Sequence, residues 1–210
     1  MPVPAVTRPD RERPDRRRAP AALALLALLG AAAAAAIAPG PARSQPAPAS
    51  SPATIAVTRE GGNYYVDASL FTTAPPAVVW AVLTDFDHMA AFVPNLERSH
   101  AIVHSPNRVT LQQRGVARFG PLAFPFESER EIEVVPIEII RSRQTRGSMR
   151  HLVSLTTLAA DGTGTRIDYH VEVDPGALYP AFLTQSFLRA EITEQFVAIE
   201  REMRRRAAAK

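Results

Sequence analysis

From Phe124 to Val134 the chain alternates with a period of two. Phe124, Phe126, Ile132 and Val134 share one parity, with Ser128 and Arg130 between them. Glu127, Glu129, Glu131 and Glu133 take the other. Successive strand side chains point to opposite faces, so this run predicts a strand with one covered and one water-exposed face. The residues Thr165–Val173 repeat the pattern. Ile167, Tyr169, Val171 and Val173 face in, while Arg166, Asp168, His170 and Glu172 face out. A sheet with one apolar face must bury it against another layer.

The same reading gives seven strands: 64–73, 97–104, 108–119, 121–135, 137–145, 150–158 and 165–173. Turn-like breaks separate the later ones: Ser105-Pro106-Asn107, Gly120-Pro121, Pro136, Gly147-Ser148 and Asp161-Gly162-Thr163-Gly164. Strands joined by turns this short pair as antiparallel neighbours.

Two helical stretches supply the covering layer. Pro75 and Pro76 suit a helix start, because proline fixes φ and has no N–H to leave unpaired. The apolar run Ala77–Leu83 follows, Asp85 and Asp87 interrupt it, and His88–Phe92 forms a further turn or two before Pro94. The closing helix is expected over 180–203. Leu188, Ile192, Phe196, Ile199 and Met203 make a narrow apolar stripe on it. Phe182, Leu183 and Phe187 lie off that stripe, so the first two turns are apolar all round.

Residues 1–49 have a different character. A block of arginines ends at Arg18, Ala21–Ala38 carries no charge, and a Pro/Ala/Ser-rich stretch follows. This order predicts a secretory signal and a disordered leader, cleaved after Ala42 or Ala49. An uncleaved N-terminal anchor or a disordered tail are the alternatives, since about eighteen apolar residues approach a membrane span. The expected location is exported, periplasmic or membrane-associated. A linker is expected over 50–61, the domain over 62–206 and a tail over 207–210.

Seven of the 24 basic and three of the 21 acidic residues lie in 1–49, leaving 17 basic and 18 acidic, a net charge of −1. The domain therefore has no nucleic-acid footprint. The cluster Arg201, Arg204, Arg205, Arg206 and Lys210 complements the helix dipole, or alternatively touches anionic lipid headgroups. There is no cysteine, which excludes disulfides, thiolate nucleophiles and cysteine metal sites.

Candidate chemistry is sparse. His100 and His104 share a strand face but lie about 13 Å apart at about 3.3 Å per residue, too far for one metal. No metal site is expected. His170 reads as solvated. His151 shares parity with Val153 and Leu155 and is a candidate inward acid or base. Arg130 interrupts an inward apolar face, where an unpaired charge is costly. It is either a snorkelling or ion-paired residue, or an anchor for a ligand carbonyl or anionic group. No nucleophile elbow, P-loop or dinucleotide fingerprint is present, so no cofactor is expected.

Several segments together resemble the START-like, polyketide cyclase/dehydrase superfamily, specifically its coenzyme Q-binding START-type branch. They are Pro76–Asp85, Phe92-Val93-Pro94-Asn95-Leu96, Gly164–Tyr169 and Val171–Gly176. The resemblance covers about residues 62–206. It implies an α+β helix-grip (START/Bet v 1-like) fold, with an antiparallel sheet wrapped on the last helix and two short helices after the first strand. It also implies a cavity between sheet and helix, capped by those short helices. By inward parity or helical face, the ligand-binding candidates are Trp80, Phe92, Phe124, Phe126, Arg130, Tyr169, Phe187, Ile192 and Phe196. This set is nearly all apolar, which favours a non-catalytic binding protein for a lipid, quinone or polycyclic molecule. The alternative is a polyketide cyclase, aromatase or dehydratase, which needs convergent polar groups in the cavity. The sequence leaves the oligomeric state open.

Overall fold

The computed structural model describes residues 53–119, 122–176 and 184–209. The expected leader, residues 180–183 of the closing helix, Phe182 and Leu183 among them, and Lys210 lie outside the described residues.

The alternating runs become strands. β2 (Asn63–Thr72), β3 (Leu96–Ser105), β4 (Arg108–Phe119), β5 (Leu122–Val135), β6 (Ile139–Gly147), β7 (His151–Asp161) and β8 (Gly164–Asp174) match the seven expected. An eighth, β1 (Thr54–Glu60), stands where the sequence reading has a linker. It pairs with β2 from Thr54↔Ser69 to Glu60↔Asn63 around a Gly61-Gly62 turn. Among the described residues the corrected count is eight, in the order β1-β2-β8-β7-β6-β5-β4-β3 with every neighbour antiparallel.

α1 (Pro76–Leu83) and a 3-10 helix (Phe86–Ala91) carry the chain from β2 to the far edge strand β3. Pro75 caps α1 with its carbonyl, which accepts from Val78 N–H at 2.9 Å. Thr84 closes α1 by donating its hydroxyl to the Trp80 carbonyl at 2.8 Å. Asn95 then turns the chain into β3 with φ of 60°, and its carbonyl accepts from Val116 N–H at 3.0 Å. Gly115 permits this approach, because a Cβ there would collide with that carbonyl and with the Phe126 ring.

The closing helix, α2, runs from Gln185 to Ala208, so it starts later and ends later than expected. Thr184 caps it, accepting from Phe187 N–H at 3.1 Å. α2 packs most closely on β1, β2 and α1. Phe187, Leu188 and Ile192 join one apolar cluster with Val57, Tyr64 and Val171. Met203 joins another with α1. A third cluster sets Phe86 against Leu111 and Ile132. The sheet thus wraps a long helix as the resemblance implies, and the core is divided around a central space.

Candidate functional site

That space is a cavity of about 240 Å³ between α2 and the inner faces of β4 to β8. One wall is apolar: Leu83, Phe86 and Met89 from the cap, Phe126 and Ile132 from the sheet, and Phe196, Ile199 and Met203 from α2. The other is a row of polar side chains crossing the sheet: Gln113, Ser128, Arg130, Ser142, Gln144, Ser154, Thr156 and Tyr169. Strand register brings them together. Gln113 lies opposite Ser128, Arg130 opposite Gln144, Ser142 opposite Ser154, and Thr156 opposite Tyr169. A bulge shapes the row, because the pairings Glu129↔Arg146 and Arg130↔Gln144 skip Thr145. Thr145 turns outward and bonds Glu129, which leaves Gln144 on the inner face.

Arg130 is the charged group in the described wall. Its Nη2 donates to the side-chain oxygen of Gln113. Gln113 in turn donates to Ser99 Oγ at 3.1 Å. Arg130 Nε and Ser142 Oγ are buried without a hydrogen-bond partner among the described residues. Burial pushes the guanidinium below the usual arginine range, opposed by the Tyr169 phenol. Burial likewise pushes the Tyr169 phenol up, against Arg130 and a hydrogen bond with Ser154. The raised phenol keeps its proton at neutral pH, and a guanidinium stays protonated in proteins. They can donate to a ligand oxygen or polarise a carbonyl. Tyr169 also stacks edge-on against Phe196, 5.9 Å between ring centres.

Of the nine candidates from sequence, Phe126, Arg130, Tyr169 and Phe196 line the cavity. Trp80 does not: it packs between two core clusters. Phe92 packs beside α1, under the Arg206 guanidinium. Phe187 and Ile192 are buried in the cluster on β1, β2 and β8. The Phe124 side chain lies outside the described residues. β7 has the reverse parity to that expected. Leu152, Ser154 and Thr156 face the cavity, and Val153 and Leu155 face out. His151 is exposed, which removes it as an inward acid or base. No three or more His, Cys, Asp or Glu gather in metal-binding fashion among the described residues.

The polar row was missed except for Arg130 and Tyr169. Its signal was present in β6, where Arg141 and Arg143 alternate with Ser142 and Gln144. Long charged side chains mark the wet face and leave the small polar ones for the inner face.

Residues 66–204 match the family described as polyketide cyclase/dehydrase and lipid transport. No curated protein sequence matches the chain. Among solved structures, Zhui aromatase/cyclase from Streptomyces sp. R1128 is similar, at 16% identity and TM-score 0.57 over 69% of this chain and 95% of that one. The STAR-related lipid transfer protein from Xanthomonas axonopodis is similar at 13% identity and TM-score 0.56, over 71% and 98%. The di-domain ARO/CYC BexL matches at 18% identity and TM-score 0.55 over 71% of this chain, which spans about half (51%) of its length. Identities this low speak for the fold.

Proposed function

The chain belongs to the polyketide cyclase/dehydrase and lipid transport family, and we propose that it binds and carries a largely apolar small molecule whose oxygen-bearing end sits on Arg130 and Ser142. The observation that carries this reading is the pair of unpartnered atoms, Arg130 Nε and Ser142 Oγ, buried in the polar row that faces the apolar wall of the cavity. Buried donors without partners are rare and unfavourable, and a ligand oxygen would satisfy both. A carbonyl or carboxylate is the matching chemistry, as on a fatty acid, a quinone or an oxygenated polycycle. The cavity volume suits one such end and part of its apolar body. The leader supports an exported protein working in the periplasm or at a membrane face.

The polar row also gives the aromatase/cyclase reading a specific footing, since Arg130 and Tyr169 could polarise a substrate carbonyl. That chemistry also needs a base to remove a carbon-bound proton. Arg130 and Tyr169 are the titratable groups of the described wall; the guanidinium has no acceptor site and the phenol is pushed up. The balance favours binding.

Native mass spectrometry of the full chain, purified gently from a membrane-containing extract, tests the proposal. A bound small molecule should be released on denaturation, and Arg130→Met should carry less of it. Ligand-free protein in every preparation would sink the reading.

A further inference from the structure

Four carboxylates are buried on α2 or at the end of β8, and three of them have an arginine. Glu200 pairs with Arg204 at 2.9 Å, Glu202 accepts from Arg205 and Arg206 at 2.7 Å, and Asp174 accepts from Arg150 Nε at 2.6 Å. Glu191 differs. It is 0% exposed, and neither of its carboxyl oxygens has a hydrogen-bond partner among the described residues. Burial, with Glu194 adding to it, pushes its pKa up to about 10. At neutral pH it is a carboxylic acid, with one proton to donate and a carbonyl to accept.

Its position links it to the cavity. Glu191 lies one turn before Gln195, about 6 Å along the axis and about 40° around it. Gln195 and Ile199 line the cavity from that face. Leu188 and Ile192, which flank Glu191 on the helix, are clustered with Met149, and Met149 is itself a cavity-wall residue. The cavity therefore ends at the apolar cluster that contains the neighbours of Glu191. Arg130 lines the cavity from β5, whereas Glu191 is on α2 and outside the lining residues.

We propose that Glu191 is a second polar contact for the ligand, a carboxylic acid that pairs with a hydroxyl or carbonyl at the far end of an elongated molecule anchored on Arg130. This rests on the carrier reading above. The ligand reaches Glu191 by displacing the flexible Met149 side chain. That movement would extend the 240 Å³ cavity toward the range of about 300–1,000 Å³ typical of ligand sites. The ligand class is an oxygenated, chain-like amphiphile with polar groups at both ends.

Calorimetric titration of the full chain with dodecanoate and with omega-hydroxydodecanoate tests this. The wild type should bind the hydroxylated acid about 3- to 10-fold more tightly, the worth of one added hydrogen bond. Glu191→Leu should lose that preference and still bind dodecanoate, and Glu191→Gln should keep part of it. A preference unchanged in Glu191→Leu, or absent from the wild type, overturns the role of Glu191 and leaves the carrier reading standing. If neither acid binds the wild type, the carrier reading fails and this proposal fails with it.

Discussion

Arg130 on β5 donates from Nη2 to the side-chain oxygen of Gln113 on β4, while its Nε stays buried without a partner. Ser99 on β3 holds Gln113 in turn, so three adjacent strands fix the guanidinium. Fixing one side of a buried cation and leaving the other unpaired is unfavourable for the ligand-free fold. Arg130→Met should therefore raise ligand-free stability by about 1–3 kcal/mol in urea unfolding. Loss of stability on that substitution would make Arg130 a structural element instead.

Glu191 gives stability a pH dependence with a defined sign. Its pKa is raised in the folded state from 4.5 to about 10. The unfolded chain ionises first, so the native state binds the extra proton and stability falls as pH rises between those values. The slope for this one group approaches about 1.4 kcal/mol per pH unit. Urea unfolding of the wild type should show a large part of that fall between about pH 5 and pH 9, and Glu191→Gln should remove it. Parallel curves for the two proteins would refute the buried neutral acid.

The cap is tied to the end of α2 by Arg206. Its Nη2 donates to Asp85 at 2.6 Å, its Nε to Glu202 at 2.7 Å, and its guanidinium lies 5.6 Å from the Phe92 ring centre. Hydrogen bonding from Arg205, against burial and with help from Arg206, holds Glu202 down at about 2. Burial pushes Asp85 up, but His88 and Arg206 together hold it below its ordinary value. Depressed carboxylates stabilise above their unfolded pKa, and that contribution is lost as pH falls through the folded one. A double-mutant cycle of Asp85→Ala and Arg206→Ala should give about 1 kcal/mol of coupling near neutral pH, fading as pH falls below the ordinary aspartate range. Zero coupling near neutral pH would mean that solvent screens the pair.

Much of this arrangement was legible in the sequence, for physical reasons that also mark where reading stopped. β5 and β8 carry charges on one parity, so water declares their outer face. β7 does not, because apolar Val153 and Leu155 face out and Ser154 and Thr156 face a cavity. A ligand site inverts the parity rule wherever it needs polar contacts. β1 followed a Pro- and Ser-rich stretch and read as linker, and only pairing with β2 makes it a strand. Trp80 sits on a short helix that is apolar nearly all round, so periodicity could not choose its face. Glu191 stands on a charge-rich helix, where a glutamate reads as solvated until packing buries it.

Arg130 should make the cavity prefer an acid over the matching alcohol. Titration of the full chain with dodecanoate and with dodecanol isolates that one group. The wild type should bind the acid about 10- to 100-fold more tightly, the range for a hydrogen bond to a charged partner, and Arg130→Met should bind the two alike. Equal affinity of the wild type for acid and alcohol, unmoved by Arg130→Met, would contradict an anchoring role for Arg130.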